Sequence, residues 1–257
     1  MHHAHIDKFA YQQSVIHRLD PRIKLAVALL FTLLIVSLPR NTPATVVCYC
    51  LGPFTVLVIA RIPIRFALRH ILLISPFILV LALTCPIYDK APRIVPFGPF
   101  IWHLTEGWMR CFTIVVKFLA TMLALIALIS TTRFSDLLVV LQRWRVPEIL
   151  VIQLGFLYRY LFVFIDKDHH ILRARSTRTL RRLPLAQERR IVTSMIGSLL
   201  IQSLDTAGRI TTAMQARGFV GQWHSVRRFA MHQADWVFLS VAIVYSVGIQ
   251  LLFRVSP

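Results

Sequence analysis

Two arginines in the C-terminal half of the chain stand in matching contexts, Ala174-Arg175-Ser176 and Ala216-Arg217-Gly218. The small side chains of the alanines leave space beside each arginine, so that the backbone of another protein can come close. A guanidinium is a planar fork of five donors that suits a carboxylate or a set of carbonyl oxygens. We expect each triplet to close an amphipathic helix, because Ser176 and Gly218 let a helix fray or end. One such triplet arises easily by chance, but two at successive helix ends favour docking to a two-fold symmetric partner.

A second group of side chains that could carry out chemistry is the run Asp166-Lys167-Asp168-His169-His170. Carboxylates and imidazoles are ligands for catalytic divalent metals, and on a helix Asp166 and His169 share a face. The run supports an alternative function, a membrane enzyme acting on a phosphorylated or lipid substrate through Asp166, Asp168 and His169. A second ligand-bearing helix is lacking, so we interpret the run as a charged, solvated helix surface.

Three histidines near the start, His2, His3 and His5, suggest binding of nickel or copper. We interpret them as a solvated tail and assign no metal to this chain. The sequence contains no Gly-rich phosphate loop, no Gly-x-Ser-x-Gly elbow and no His-Glu-x-x-His motif. Any ATP hydrolysis that the protein uses must therefore come from another chain.

The elements that position these groups are strongly hydrophobic. Of the 257 residues, 56% are hydrophobic, which excludes an ordinary soluble domain. Five stretches are predicted to cross a hydrocarbon core of about 30 Å. They are Ile23 to Leu38, Ala44 to Ala60, Arg69 to Tyr88, Arg110 to Ser130, and Asp235 to Phe253. Between the third and the fourth, Ala91 to Trp108 is predicted to be an irregular loop.

The net charge of +18 would suit nucleic acid, but the charge is segregated. Residues 131–232 hold 16 of the 29 lysines and arginines and six of the 11 acids. Basic segments beside apolar ones are typical of cytoplasmic loops. We therefore expect a cytoplasmic N-terminus and an outer C-terminus. The four cysteines lack the spacing of a metal site and are expected to be free thiols.

These patterns divide the chain into four parts. We predict a cytoplasmic segment at 1–22, a membrane domain of four helices at 23–130, a cytoplasmic module at 131–232 and a final membrane helix at 235–253. In the module, one helix runs from Glu148 to about Arg178, Leu183-Pro184 breaks it, and another runs from about Ala186 to Arg217. Four to six crossings remain open, because Ile149 to Ile165 is apolar enough to lie in the membrane.

Polar residues beside or within the membrane segments need partners. Asp20 precedes Pro21, and we expect it to cap the first membrane helix, with a contact to a partner as the alternative. Arg110 is expected at the outer boundary, where its stem can lie in lipid. Lys117 is deep enough to need a structural ion pair or a contact to another membrane subunit.

Two further blocks carry a resemblance to a known family, Ile6-Asp7-Lys8-Phe9-Ala10-Tyr11 and His17-Arg18-Leu19-Asp20-Pro21-Arg22-Ile23-Lys24-Leu25. With these blocks and the two arginine triplets, the chain resembles the transmembrane T component of energy-coupling factor transporters. Among those proteins it is most similar to the CbiQ type of cobalt and nickel importers. The resemblance extends over nearly the whole chain.

The resemblance implies an all-α polytopic membrane protein with a pair of long, crossed coupling helices and no enzymatic activity of its own. It implies that the two triplets dock into grooves on a dimer of ATP-binding-cassette ATPases, which bind the ATP and magnesium. It implies that a separate membrane subunit holds the cobalt or nickel, and that the complex lies in a prokaryotic inner membrane. A self-contained carrier is disfavoured because the sequence lacks inverted repeats.

Overall fold

Helices make up most of the protein in the computed structural model, which describes residues 10, 12, 14–39, 43–88, 92–97, 100–179, 184–221 and 231–254. The helices of these ranges are α1 (Val15–Arg18), α2 (Pro21–Ser37), α3 (Pro43–Ile59), α4 (Ile64–Tyr88), α5 (Glu106–Thr131), α6 (Phe134–Arg143), α7 (Glu148–Arg178), α8 (Leu185–Ala216) and α9 (Gln233–Arg254). All five predicted membrane stretches are helices, and the prediction of an all-α polytopic membrane fold is confirmed.

Four helices of the described ranges are long and apolar enough to cross a membrane: α4, α5, α7 and the Gln233–Leu252 part of α9. Three of them match predicted spans, whereas α7 had been assigned to the cytoplasmic module. Its first half is apolar and its second half charged, which is why the sequence left its place open. With 17 residues each, α2 and α3 are about 26 Å long, slightly shorter than the core of about 30 Å.

The prediction of an irregular loop between α4 and α5 was wrong. Two strands, β1 (Pro92–Phe97) and β2 (Phe100–Thr105), pair antiparallel there, with Pro92 opposite Thr105. The β-branched and aromatic composition of both segments favours extended backbone. The loop prediction rested on Pro92, Pro96 and Pro99, since proline is disfavoured within sheets, and α5 already begins at Glu106.

The chain divides into two compact units. Of the described residues, the bundle unit comprises those up to Leu137 and those from 231 to 254, and the arm unit comprises those from Leu138 to 221. In the bundle unit, Phe31, Ile35 and Tyr49 form a core with two alanines of α5. The hydroxyl of Tyr49 donates to the carbonyl oxygen of Ser246 at 2.9 Å, which joins α3 to α9.

In the arm unit, α8 is the helix whose residues are least buried. It has 32 residues, all within the described part of the chain, and none of them is buried. Several are large apolar side chains: Leu185, Ile196, Leu200, Ile201 and Leu204 are between 61% and 75% exposed. A long helix with an uncovered apolar face indicates a surface that packs against something else.

Candidate functional site

The triplet Ala216-Arg217-Gly218 forms the C-terminal cap of α8. Gly218 has a φ of +77°, a left-handed conformation that glycine adopts at little cost. The N–H of Gly218 donates to the Gln215 carbonyl at 3.0 Å, and the N–H of Phe219 donates to the Met214 carbonyl at 3.1 Å. This pair of bonds is a Schellman motif, which ends a helix sharply. The prediction that Gly218 stops this helix is confirmed.

Arg217 is the C-cap residue of that motif and is exposed to solvent. Its guanidinium has no hydrogen bond or ion pair with any residue that the structure describes. Five donors are thus presented at a rigid helix end, where the last carbonyls of α8 also favour a positive charge.

The triplet Ala174-Arg175-Ser176 lies inside the last turns of α7, which continues to Arg178. The predicted end of this helix at about Arg178, two residues beyond Ser176, is confirmed. The hydroxyl of Ser176 donates to the Arg173 carbonyl at 2.8 Å, so this serine does not itself end the helix. The helix ends at Thr179, whose N–H donates to the Arg175 carbonyl at 3.0 Å.

Arg175 differs from Arg217 because it has a partner within the chain. Its Nη2 atom lies 3.1 Å from Oε1 of Glu188, and the side chains are 22% and 51% exposed respectively. The pair joins the last turn of α7 to the first turn of α8. Such an exposed pair contributes at most about 1 kcal/mol to stability. Sequence analysis did not predict it, although an acid in the first turn of one helix and a base in the last turn of the preceding one are a usable signal.

The two arginines mark opposite ends of α8. From Glu188, which holds Arg175, to Arg217 the helix rises about 44 Å at 1.5 Å per residue. A continuous helix of this length keeps Glu188 and Arg217 about this far apart. Arg217 lies at one end of α8, and Arg175 is paired with the first turn at the other end.

The run Asp166 to His170 does not form a metal centre in the structure. In the described ranges, no group of three or more histidine, cysteine or acidic residues is placed to hold a metal ion. Lys167 donates to Thr206 Oγ1 at 3.0 Å and lies over the ring of Phe164, while His169 and His170 are exposed. The geometry therefore gives the enzyme alternative no support. His2, His3 and His5 lie outside the described residues.

Asp20 caps α2 as predicted. Its Oδ1 atom accepts from the Arg22 N–H at 2.9 Å, and Pro21 is the first helical residue. Sequence analysis missed its second contact, in which the Asp20 N–H donates to Asp235 Oδ1 at 2.8 Å. The other oxygen of Asp235 accepts from the His232 N–H at 2.8 Å. One buried carboxylate thus joins the starts of α2 and α9, 215 residues apart.

Lys117 binds acceptors that the sequence analysis did not consider. Its Nζ atom donates to the carbonyl oxygens of Leu38 at 2.6 Å and Val36 at 3.4 Å, which are among the orphan acceptors at the end of α2. Arg110 lies 3.5 Å from Glu106, one turn earlier on the same helix. Both lysine contacts join α5 to the end of α2 within the bundle unit.

Comparison with known proteins identifies the family of this chain. A model of the family described as CbiQ, cobalt transport protein, matches residues 12–227. The cobalt transport protein CbiQ of Rhodobacter capsulatus is 30% identical over 203 residues, which are 77% of this chain and 78% of that protein. The energy-coupling factor transporter transmembrane protein EcfT of Bacillus selenitireducens is 23% identical over 257 residues, 95% of each chain.

A third relative, the nickel permease LarQ of Lactiplantibacillus plantarum, is 31% identical over 115 residues, 44% of this chain and 41% of that protein. The family match includes both arginine triplets and most of the helices of the bundle unit. The chain is a multi-pass membrane component of a transport system, and it belongs to the CbiQ family of cobalt transport proteins.

Proposed function

We propose that this chain is the energy-coupling subunit of an ATP-driven importer of the energy-coupling factor type, with cobalt or nickel as cargo. The observation that carries the proposal is Arg217 at a sharply capped, exposed end of α8, with Arg175 paired to the first turn at the opposite end of the same helix. Membership of the CbiQ family supports it, as does the likeness to proteins named for cobalt and nickel transport.

In this proposal the triplets are the docking residues for a dimer of ATP-binding-cassette ATPases. Arg175 and Arg217 each donate to carboxylate or carbonyl oxygens in one groove of the dimer. The alanines and Gly218 let the groove wall approach the helix. ATP and Mg²⁺ bind to the ATPases, and this chain supplies no catalytic residue and binds no cofactor.

Coupling follows from the stiffness of the long helices. When ATP binding closes the ATPase dimer, its two grooves move, and helices docked in both must shift as rigid bodies. The uncovered apolar face of α8 is where we place the membrane subunit that binds the metal ion. A shift of α8 then changes the surface on which that subunit rests, without any covalent step in this chain.

The positive-inside distribution supports a cytoplasmic N-terminus and arm unit in a prokaryotic inner membrane. This orientation places both docking arginines in the compartment that holds ATP. A thiol-specific, membrane-impermeant reagent tests it with single cysteines at Arg217 and at Arg254, the expected outer end of α9, in a chain whose natural cysteines are replaced. Labelling of Arg217→Cys in intact cells would contradict the proposed orientation.

The docking role is tested by co-purification from native membranes. We expect the wild-type chain to retain an ATP-binding-cassette protein and the double variant Arg175→Glu/Arg217→Glu to lose it. The matched control is Arg173→Glu/Arg209→Glu, which makes the same charge change at two exposed arginines on the same helices. If both double variants lose the ATPase equally, or neither does, the triplets are not the docking residues.

A further inference from the structure

The bundle unit contains a lateral groove of 580 Å³ between α1, α2, α3, α5 and α9. The end of the groove beside α1 is lined by Leu19, Lys24, Ile59, Thr131 and Ala234. The opposite end is closed by Phe31, Gly52 and Tyr245. The groove involves none of the residues of the arginine triplets, so it is independent of the proposed docking role.

The walls of the groove are apolar even where polar residues line them. Every hydroxyl and ammonium group among the lining residues donates to a carbonyl oxygen of the bundle unit. These bonds are Lys24 to His17 and Thr131, Thr55 to Gly52, Thr131 to Ala127, Tyr245 to Cys48, and Ser246 to Ala242. Because these donors are used internally, the groove suits a hydrocarbon ligand and not a polar one.

The length of the groove matches one leaflet of a bilayer. On α9 its lining extends from Ala234 to Ser246, a rise of about 18 Å, and one leaflet of the hydrocarbon core is about 15 Å deep. A single acyl chain that enters from the membrane surface can lie along this length of the groove.

The α1 end of the groove carries positive charge. The side chains of Arg18 in α1 and Arg61, just after α3, are exposed. Among the described residues, the acids of this end are Asp20 and Asp235, which are buried and whose carboxylates accept from backbone N–H groups. The surface charge at this end is therefore cationic, which favours an anionic headgroup at the membrane surface.

We propose that the groove binds one acyl chain of an anionic phospholipid, with its phosphate beside Arg18 and Arg61. The bound chain fills the space between α2, α3 and α9 and completes the packing of the bundle unit. The lipid is thus a structural ligand of this subunit, distinct from the transported metal.

The test uses the full chain in micelles that contain phosphatidylglycerol and phosphatidylcholine in equal amounts, with retained lipid counted by native mass spectrometry. The wild type should keep one phosphatidylglycerol. Val241→Trp fills the groove and should reduce retention at least fivefold. Val244→Trp is the matched control, because Val244 is similarly exposed on the same helix, 69% against 60%, but does not line the groove.

Two further variants keep the test decisive. Arg18→Gln/Arg61→Gln should still retain one lipid but lose the preference for phosphatidylglycerol. If Val241→Trp does not fold, Ala28→Leu, at another lining position, takes its place. Equal retention by the groove-filled variant and the wild type would overturn the proposal. Loss of the lipid when the chain is isolated with its partner subunits would also overturn it, since a partner would then occupy the groove.

Discussion

The bundle unit and the arm unit use their charged residues in opposite ways. In the bundle unit Asp20, Asp235 and Lys24 are at most 6% exposed, and each of these side chains binds backbone groups of the same unit. In the arm unit Arg217 is exposed, and no residue of α8 is buried. Buried charged groups that bond to the backbone help to specify a fold, whereas an exposed guanidinium on a helix with no buried residue is available to partners. Charged residues of the bundle unit thus stabilise the fold, and those of the arm unit are available for docking. Substitutions in the first group should lower stability, and substitutions in the second should lower binding of the partner.

The largest effect on stability is expected at Asp235. Asp235→Ala removes the acceptor of two backbone N–H groups, those of Asp20 and His232, and leaves them unsatisfied. We expect a loss of about 3 kcal/mol, or a fall of roughly 10 °C in unfolding temperature, measured in detergent. Asp205→Ala on the exposed face of α8 is the control and should change little. Equal losses of stability in Asp235→Ala and Asp205→Ala would contradict the proposal that charged residues stabilise the bundle unit more than the arm unit.

A pair of lysines gives the next comparison. Lys117→Met leaves the last carbonyls of α2 without their donor, and we expect a loss of about 1–2 kcal/mol in the same assay. Lys167→Met removes a bond to the Thr206 hydroxyl in the arm unit and should cost less than half as much. A larger loss at Lys167 would show that the arm unit also depends on internal polar bonds.

A substitution at Gly218 should affect docking more than folding. Gly218→Val places a β-branched residue at a φ of +77°, which costs about 1–2 kcal/mol locally and disrupts the cap that positions Arg217. We expect ATPase retention to fall about fivefold with little change in unfolding temperature. Gly197→Ala, at an open site within α8, is the control; if it lowers retention as much, the cap has no special role.

The smallest effect is expected at Glu188. Glu188→Gln removes the negative charge that holds Arg175 and frees the guanidinium for a partner. Since the pair contributes at most about 1 kcal/mol, ATPase retention should rise by up to about fivefold, with an unchanged unfolding temperature. A fall in retention would mean that Glu188 orients Arg175 for docking and does not compete with the partner.

The parts of this fold that were predicted from sequence are those with local causes. Apolar runs placed the membrane helices, Pro21 and Asp20 marked the start of α2, and Gly218 marked the end of α8, since each signal acts within one turn. The bond from Asp20 to Asp235 spans 215 residues, and neither residue type alone indicates the other.

The most direct test of the division between folding and docking measures two quantities on two variants. Arg217→Glu and Asp235→Ala are each assayed for unfolding temperature and for ATPase retained per folded chain. We predict that Arg217→Glu loses the ATPase at an unchanged unfolding temperature, and that Asp235→Ala unfolds earlier while its folded fraction still retains the ATPase. Full ATPase retention by Arg217→Glu would contradict the proposal that this helix end is where the chain is coupled to ATP hydrolysis.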